Sequence, residues 1–359
     1  MTTRLTDRPS GSGAADALRR RPRATVFGIG SVLLVALVVS VIVAVTVGPA
    51  PISLRAVWQS IAAHLGWGAG RPPLTVDAIV WNLRLPRALT SALVGAALAV
   101  CGVVMQAVTR NPLAEPYLLG LSSGASVGAV VVIVLGAAIA LPLAAFGGSL
   151  AALILTLLLA GAFGGATALS PSRIILAGIA VSAAFSAVTS IVIFWSTTGD
   201  SFREILGWLL GSIAGASWTS VAIVAVAFLV VGVPLALGGN VLDAFAFGDD
   251  DARALGVDVR RVRWLLLGAS ALLTGAAVAV SGAIGFVGLI VPHAVRLVTG
   301  HRNRALLPLS ALVGAILLTW ADTLARTAFD PRELPVGIVT ALLGAPVFAA
   351  LLIRAKRLT

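Results

Sequence analysis

The side chains best able to carry out chemistry are few in this sequence, and they are scattered along it. The histidines, His64, His293 and His301, lack the spacing to a cysteine or a carboxylate that a bound metal ion requires. The only lysine is Lys356, so the chain lacks the Gly-Lys-Ser/Thr sequence of a loop that cradles nucleotide phosphates. A paired acidic motif at a helix end is also missing. The sequence therefore predicts no catalytic residue, no metal site and no bound cofactor.

One polar segment between apolar stretches contains residues that typically begin and end helices. Residues 247–261 contain three successive aspartates and several arginines. Asp249 or Asp250 can cap a helix that Gly256 ends in a left-handed turn. Asp258 can cap the helix that follows. We predict two short helices joined by a glycine turn, which form either a solvated loop or a docking element for a cytoplasmic partner.

The composition determines which elements surround this segment. Of the 359 residues, 59% are hydrophobic and 11% are charged, against about 25% charged in an ordinary soluble domain. The mean hydropathy is +1.05. These values exclude a soluble enzyme, a disordered protein and a nucleic-acid-binding domain. Cys101, the only cysteine, lies inside an apolar run, so we interpret it as a packing residue that forms no intrachain disulfide.

The apolar runs are continuous, and each is long enough to be a helix. Because a span takes ~20 apolar residues and open sheet edges cannot lie in lipid, we predict an all-α polytopic membrane protein with about ten transmembrane helices. The eighth run is near the lower limit of length for a span. The runs cover residues 24–47, 87–108, 116–137, 142–165, 172–196, 217–238, 262–281, 284–298, 305–325 and 334–353.

Membrane topology explains the net charge of +11 better than nucleic-acid binding does. If the N-terminus is cytoplasmic and every run crosses, 18 of the 25 basic residues lie inside and 7 lie outside. The positive-inside rule favours this arrangement, with both termini in the cytoplasm. Residues 1–23 are predicted to form a disordered cytoplasmic tail, and residues 24–355 a single transmembrane domain.

Small residues recur at one-turn spacing in several runs. Ser182, Ser186 and Ser190 share one helix face, and Thr189 lies beside them. Each hydroxyl can bond to the carbonyl one turn back at a helix contact, or the face can line a weakly polar path. Glycines form two similar ridges, at positions 120, 124 and 128 and at positions 207, 211 and 215, which favour close helix contacts.

Several motifs, in order along the chain, match those of a known family. They are Arg84-Leu85-Pro86-Arg87, Gly95-Ala96-Ala97-Leu98, Asn111-Pro112-Leu113-Ala114-Glu115-Pro116, Gly285-Phe286-Val287-Gly288-Leu289-Ile290-Val291-Pro292-His293, Leu307-Pro308, Ala321-Asp322 with Arg326, Glu333-Leu334-Pro335-Val336-Gly337 and Gly344-Ala345-Pro346. Over roughly residues 25–355, the chain resembles the FecCD family of ABC-transporter permeases, which import iron–siderophore complexes, haem or vitamin B12. The resemblance implies the ten-helix bundle of a type II ABC importer permease in the inner membrane.

The resemblance also implies roles for individual residues. The coupling segment, residues 240–262, would enter a groove on an ATPase subunit and transmit its closure to the pore. The helix with the serine ridge would line the translocation path through Ser182, Ser186, Thr189 and Ser190. The coupling residues would be Asp249, Asp250, Asp251, Arg253, Leu255, Gly256, Val257 and Arg260.

Arginines on the outer face would receive acidic residues of a substrate-binding protein. The matching positions are Arg84, Arg87 and Arg326, and the charge count independently places all three outside. Arginine suits this role because its planar fork holds a carboxylate through two hydrogen bonds. The alternatives are snorkelling at the membrane interface for Arg84 and Arg87, and pairing with Asp322 one turn earlier for Arg326.

The sequence thus predicts a non-catalytic permease subunit, with ferric siderophore as the expected cargo and haem or vitamin B12 as alternatives. Its expected partners are a second permease, identical or paralogous, two cytoplasmic ATPases, an extracytoplasmic binding protein and membrane lipid, but no nucleic acid. An ion-coupled secondary transporter would need acids near the midplane, whereas Asp322 lies near the outer end of its run. A membrane enzyme would need the catalytic cluster that the sequence lacks.

Overall fold

The chain folds into a bundle of helices. The structure is a computed structural model that describes residues 23–355 except 69, 71, 137–140, 163–170, 196–198, 247, 255, 301 and 330–331, and these residues include no strand. The tail predicted for residues 1–23 therefore lies outside the described residues except for Arg23, and so does the predicted coupling residue Leu255.

The helices are numbered in chain order. In the first half they are α1 (Arg23–Thr46), α2 (Leu54–His64), α3 (Leu74–Ala78), α4 (Leu85–Thr109), α5 (Leu121–Val134), α6 (Leu141–Ala162) and α7 (Pro171–Trp195). In the second half they are α8 (Gly199–Leu209), α9 (Trp218–Ala227), α10 (Val233–Leu237), α11 (Gly239–Ala246), α12 (Asp249–Ala254), α13 (Val259–Ser281), α14 (Val287–Thr299), α15 (Asn303–Thr327) and α16 (Val336–Ala355). Two π-helical turns, Ile79–Arg84 and Phe228–Gly232, join α3 to α4 and α9 to α10.

The ten predicted runs all correspond to apolar helices. Among the described residues, seven helices are long and apolar enough to cross a membrane, and three apolar helices are shorter, namely Leu121–Val134, Val287–Thr299 and Val336–Ala350. The prediction that the eighth run is short is confirmed by α14, which has 13 residues. The second run begins earlier than predicted, because the helix that contains α4 starts at Leu74.

Local residues set several helix ends. Ser217 caps α9 through a reciprocal pair of hydrogen bonds with Ser220, and Asp258 caps α13 by accepting the N–H of Arg261 at 3.1 Å. Gly282 ends α13 at a φ of 64°, where a side chain would be strained. These polar and glycine positions interrupt the apolar runs and so divide the chain into spans.

α4 lies at the centre of the bundle, with 83% of its most apolar window buried. It packs against α1, α9, α13, α14 and α15. Cys101 on α4 is fully buried and its thiol faces the carbonyl of Ser270 at 3.4 Å, so the packing role predicted for it is confirmed. A helix buried on nearly every side provides the frame on which the other spans are placed.

Glycines allow the backbones to approach closely around α4. A Cβ at Gly95 would overlap the carbonyl of Gly314 on α15, and a Cβ at Gly102 would overlap the carbonyl of Gly288 on α14. Helices in lipid associate mainly through such close packing. Of the two predicted glycine ridges, the first packs within the chain, since Gly124 and Gly128 of α5 contact backbone atoms of α6. In the second, only Gly211 makes such a contact.

The direction of α4 defines two ends of the bundle. At the coupling end, α4 finishes and Arg110 lies 3.5 Å from Asp249 of the coupling segment. At the opposite end, α4 begins and Arg87 meets Asp322, near the end of α15. α1 and α15 both run from the coupling end to the opposite end.

Adding a methyl group at Gly102 should destabilise the protein. Gly102→Ala should lower the free energy of unfolding by about 1–3 kcal/mol, because the new Cβ meets backbone that cannot move aside easily. Gly147→Ala is the matched control on α6, since a Cβ there has no heavy atom within 4 Å. Thermal melting in detergent, followed by tryptophan fluorescence, checks this. Equal melting temperatures for the two variants would contradict the role given to the crossing of α4 and α14.

Candidate functional site

Of the two helices predicted in the coupling segment, only the first is short: α12 has 6 residues, whereas α13 has 23. α12 begins with Asp249, Asp250 and Asp251 in its first turn, where negative charge suits the helix dipole. Gly256 follows at a φ of 83°, and its N–H donates to the carbonyl of Arg253 at 2.9 Å. Asp258 then caps α13 as predicted. The prediction of two helices joined by a glycine turn is thus confirmed. The predicted cap at Asp249 or Asp250 is wrong, since both lie inside α12 and their carboxylates accept hydrogen bonds from Arg263 and Arg253.

Asp249 ties the coupling segment to two other elements. Its Oδ1 accepts a hydrogen bond of 2.8 Å from Arg263 on α13 and lies 3.5 Å from Nη2 of Arg110, just after α4. Arg263 is buried, with its guanidinium 5.5 Å from the ring centroid of Phe245 on α11. Burial alone raises the pKa of Asp249, but the hydrogen bond and charge of Arg263, with further charge from Arg110 and Arg253, outweigh it and lower the pKa. The carboxylate therefore stays ionised at neutral pH.

The other coupling residues form an exposed surface. Asp250 and Arg253 pair at 2.8 Å with both side chains open to solvent, so this pair adds little stability. Val257 is half-buried and its N–H donates to the carbonyl of Ala252 at 3.0 Å, which closes the glycine turn. The members of this surface that the structure describes as exposed are Asp250, Asp251, Arg253, Gly256 and Arg260.

Sequence reasoning missed two of the residues that hold Asp249. Arg110 has a φ of 52°, one of two left-handed non-glycine residues in the described part of the chain. This conformation ends α4 and places the residue at the coupling segment. The signal was available, since Arg110 stands directly before Asn111-Pro112 at the end of an apolar run. Arg263 carried a weaker signal, because it is one of three nearby arginines and only the fold shows which is buried.

At the opposite end, a buried ion pair joins α4 to α15. Arg87 donates from Nε and Nη2 to both carboxylate oxygens of Asp322, at 2.9 to 3.1 Å. Its Nη1 donates to Oε2 of Glu333 at 2.7 Å, and the Glu333 side chain is 41% exposed. Asp322 therefore pairs with Arg87. The alternative prediction for Arg326, that it pairs with Asp322, is wrong.

The other two predicted docking arginines bind the end of α1. Arg84 donates from Nη1 to the carbonyls of Val45 and Thr46 at 3.1 and 3.0 Å. Arg326 donates from Nη2 to the carbonyl of Ala44. Both are buried. Arg87 is buried as well, so the snorkelling alternative for Arg84 and Arg87 is wrong. Arg84 and Arg326 satisfy carbonyls that the last turn of a helix leaves without partners. Their role in docking a binding protein stays a prediction.

The predicted path residues lie on α7, most of which is open. Ser186 and Ser190 are exposed, Ser182 is half-buried and Thr189 is buried. The Thr189 hydroxyl donates to the carbonyl of Phe185, and the Ser190 hydroxyl to that of Ser186, each at 3.0 Å. Bonding one turn back is thus present, yet it leaves an open, weakly polar face on α7.

A further group of contacts, which the sequence did not reveal, supports the start of α14. Phe286 has a φ of 67°, and a Cβ at Gly344 would lie 2.5 Å from its side chain, so the ring needs a glycine there. Glu115, just after α4, interacts with the Phe286 backbone, while burial raises the pKa of its carboxyl. Near the other end of α14, Arg296 donates to Gln106 of α4 at 3.0 Å. The motifs around Glu115, Phe286 and Gly344 therefore meet in space.

Comparisons with known proteins agree with this fold. The family model described as the FecCD transport family matches residues 36–354. An uncharacterised ABC transporter permease protein, YvrB of Bacillus subtilis, is 44% identical over 89% of this chain and 92% of its own. The vitamin B12 import system permease protein BtuC of Vibrio cholerae is 46% identical over 77% and 83%. A solved structure, described as an inward-facing conformation of a metal-chelate type ABC transporter, has a TM-score of 0.78 at 32% identity, covering 93% of this chain and all of its own.

The chain therefore belongs to the FecCD transport family and is an ABC importer permease. Proteins of this class are polytopic membrane subunits that work with another permease subunit and a separate ATPase. The helical bundle and the ten apolar helices of the described residues agree with that class.

Breaking the buried pair of Arg87 and Asp322 should be costly, and replacing both residues much less so. Arg87→Met should lower the free energy of unfolding by about 3–5 kcal/mol, because Asp322 is left buried without its partner. The double variant with Asp322→Leu should recover most of that loss. A double-mutant cycle of melting temperatures in detergent measures the coupling. Asp250→Asn, in an exposed pair, is the control and should change nothing. Additive effects of the two substitutions would disprove the interaction.

Proposed function

We propose that this chain is the non-catalytic membrane subunit of an ATP-driven importer of bulky metal chelates, with its coupling segment docked on a cytoplasmic ATPase. The observation that carries the proposal is the contact of Asp249 with both Arg263 and Arg110. It joins an exposed acidic helix to the beginning of α13 and the end of α4. Movement of α12 therefore reaches two spans at once.

ATP-dependent closure of the ATPases supplies the driving force. It displaces α12, and α13 and α4 follow through the contacts of Asp249 and the apolar contacts of α11 and α12 with Val257 and Val262. The spans take two arrangements, and nucleotide and cargo shift the balance between them. One arrangement opens the translocation path to the outside and the other opens it to the cytoplasm. Both termini are placed in the cytoplasm, on the same side as the coupling segment.

A second permease subunit faces the open side of α7. The exposed Ser186 and Ser190 offer the cargo hydroxyl groups without charge, so a bulky complex can pass without tight binding. Ser182 and Thr189 mark the edge of this wall, where α7 returns to its own bundle. The path thus lies between subunits rather than within one bundle.

An extracytoplasmic binding protein docks at the opposite end of the bundle. Arg84, Arg87 and Arg326 match the docking positions of the family, and all three have partners within the chain. Of the three, Arg87 is the one whose guanidinium reaches a part-exposed acid, Glu333. We propose that a carboxylate of the binding protein competes with Glu333 for Nη1 of Arg87.

The cargo is a metal chelate, and vitamin B12 is the first candidate. A relative named as a vitamin B12 import permease is 46% identical to this chain, which supports a corrinoid. Ferric siderophore, expected from the sequence, is the second candidate, because the structural relative is described as a metal-chelate type transporter. A carrier driven by ions has less support, since Asp322 is already paired with Arg87 in the described part of the bundle.

Uptake by the reconstituted system should require ATP and the Asp249 contacts. We expect vesicles that contain the chain, its ATPase and its binding protein to accumulate radiolabelled vitamin B12, tested beside a ferric siderophore. Asp249→Asn should cut uptake at least tenfold while ATP hydrolysis continues, because the link to Arg263 and Arg110 weakens. Glu204→Gln, which also replaces an acid by its amide but at an exposed position of α8 outside the coupling segment, is the matched control.

The possible outcomes test the ATP dependence, the role of Asp249 and the cargo separately. Uptake without the ATPase would disprove the ATP-driven importer, and equal effects of Asp249→Asn and Glu204→Gln would disprove the role of Asp249. Transport of siderophore but not of vitamin B12 would keep the machinery and change the cargo.

Removing the acid that competes for Arg87 should strengthen docking. We expect Glu333→Gln to tighten binding of the binding protein about two- to fivefold, since Nη1 of Arg87 becomes available. Surface plasmon resonance at two salt concentrations measures this. Glu204→Gln, at an exposed acid on α8, makes the same change in net charge away from Arg87. An equal gain in both variants would show long-range charge alone and exclude direct docking on Arg87.

A further inference from the structure

A large cleft separates the first halves of α1 and α15. Its volume is about 1160 Å³, above the ~300–1,000 Å³ of clefts that hold drug-sized ligands. It lies at the coupling end of the bundle, where both helices begin, and Phe228 and Ala236 contribute to its wall. The proposed function does not use this cleft.

The two helices are parallel and are held together at their other ends. Arg326 of α15 binds the carbonyl of Ala44, and Nε1 of Trp320 donates to the Ser40 hydroxyl at 3.0 Å. Within the cleft, a Cβ at Gly30 would lie 3.6 Å from Leu309, and lining residues lie on both sides of this point. α1 is thus attached to α15 near its end and borders the cleft near its beginning.

The wall of the cleft is apolar and open to the surroundings of the bundle. Phe27 is 80% exposed and Leu34 is 54% exposed, although both line the cleft. From Arg302 to Leu312, the wall on α15 extends over eleven residues, or ~15 Å of helix. That length is half of the ~30 Å hydrocarbon core of a bilayer. The cleft therefore has the depth of one leaflet.

Positive charge is concentrated at the mouth of the cleft. Arg302 and Arg304 both line it and are exposed. Among the described residues, no carboxylate lies within 4.0 Å of either guanidinium. The nearby acid Asp243 is engaged elsewhere, since it accepts the backbone N–H of Asn303 at 2.8 Å. Thr299 and Gly300 add polar atoms at the same level.

We propose that this cleft binds an anionic phospholipid, with the phosphate at Arg302 and Arg304 and the acyl chains between α1 and α15. The apolar wall alone would accept any lipid, and the paired arginines select a negative headgroup. Because the mouth lies at the coupling end, the lipid belongs to the leaflet on the side of the coupling segment.

Charge and position argue against other occupants. The segment before α1 carries several arginines, which the mouth of the cleft would repel. A second permease is proposed at α7, which packs on α5 and α6, whereas α1 packs on α15 and α4. An anionic lipid fits both the charge and the apolar depth.

Lipid binding to the purified full-length chain tests the proposal. Native mass spectrometry in detergent would compare dioleoyl phosphatidylglycerol, dioleoyl phosphatidylcholine and chain-free glycerol 3-phosphate. We expect phosphatidylglycerol to bind more tightly than phosphatidylcholine. Arg302→Gln/Arg304→Gln should lower the ratio of the two affinities about fivefold for each arginine replaced. Arg55→Gln/Arg203→Gln, at exposed arginines away from the cleft, should leave the preference unchanged.

A second pair of variants tests the apolar part. Gly30→Leu should lower binding of both lipids by filling the cleft, while Gly28→Leu on the same helix should not, because Gly28 faces open space. Unchanged melting temperatures would confirm that each variant is folded. Equal binding of the two lipids to wild type, or an unchanged preference in Arg302→Gln/Arg304→Gln, would overturn the proposal. So would full competition by glycerol 3-phosphate, or a gain in lipid binding on deleting residues 1–22.

Discussion

Close backbone contact at α4 is the constraint on which the rest of the structure depends. In lipid, helices gain little from burying apolar side chains against one another, so packing must be tight to hold them together. α4 meets this condition at Gly95 with α15 and at Gly102 with α14. With those two crossings fixed, Arg87 reaches Asp322 at one end of α4, and Gln106 reaches Arg296 at the other. The polar contacts therefore follow from apolar packing rather than replacing it.

Buried charge has different roles at the two ends of the bundle. At the opposite end, Arg84 and Arg326 bind the carbonyls at the end of α1, and Arg87 joins α4 to α15. These contacts fix one set of helix ends. At the coupling end, Asp249 is shared between Arg263 and Arg110 and lies beside an exposed helix. The contacts at the opposite end thus hold the helices together within the chain, whereas the contacts at the coupling end lie where a partner can move them.

The sequence was sufficient for the broad architecture and for the coupling segment. Continuous apolar runs reveal spans because lipid leaves the backbone few options, and Asp258 and Gly256 mark a cap and a turn that depend only on neighbouring residues. It was insufficient for the arginines. Whether Arg84 faces solvent or a helix end depends on the position of α1, some forty residues earlier in the chain, and no local pattern records that distance. The partner of Asp322 was missed for the same reason, since Arg87 is 235 positions away.

The attachment of α1 at one end has a consequence for how its sequence can vary. Around Ala44, Val45 and Thr46, the backbone must keep the geometry that two guanidinium groups require, so insertions or a change of register there would unpair them. From Val26 to Leu34 the helix borders a cleft, and Phe27 and Leu34 are 80% and 54% exposed. Except at Gly30, where a Cβ would lie 3.6 Å from Leu309, substitutions there need only remain apolar. The tolerance of α1 to substitution should therefore vary along its length: apart from Gly30, side-chain size and shape are less restricted at its beginning than at its end.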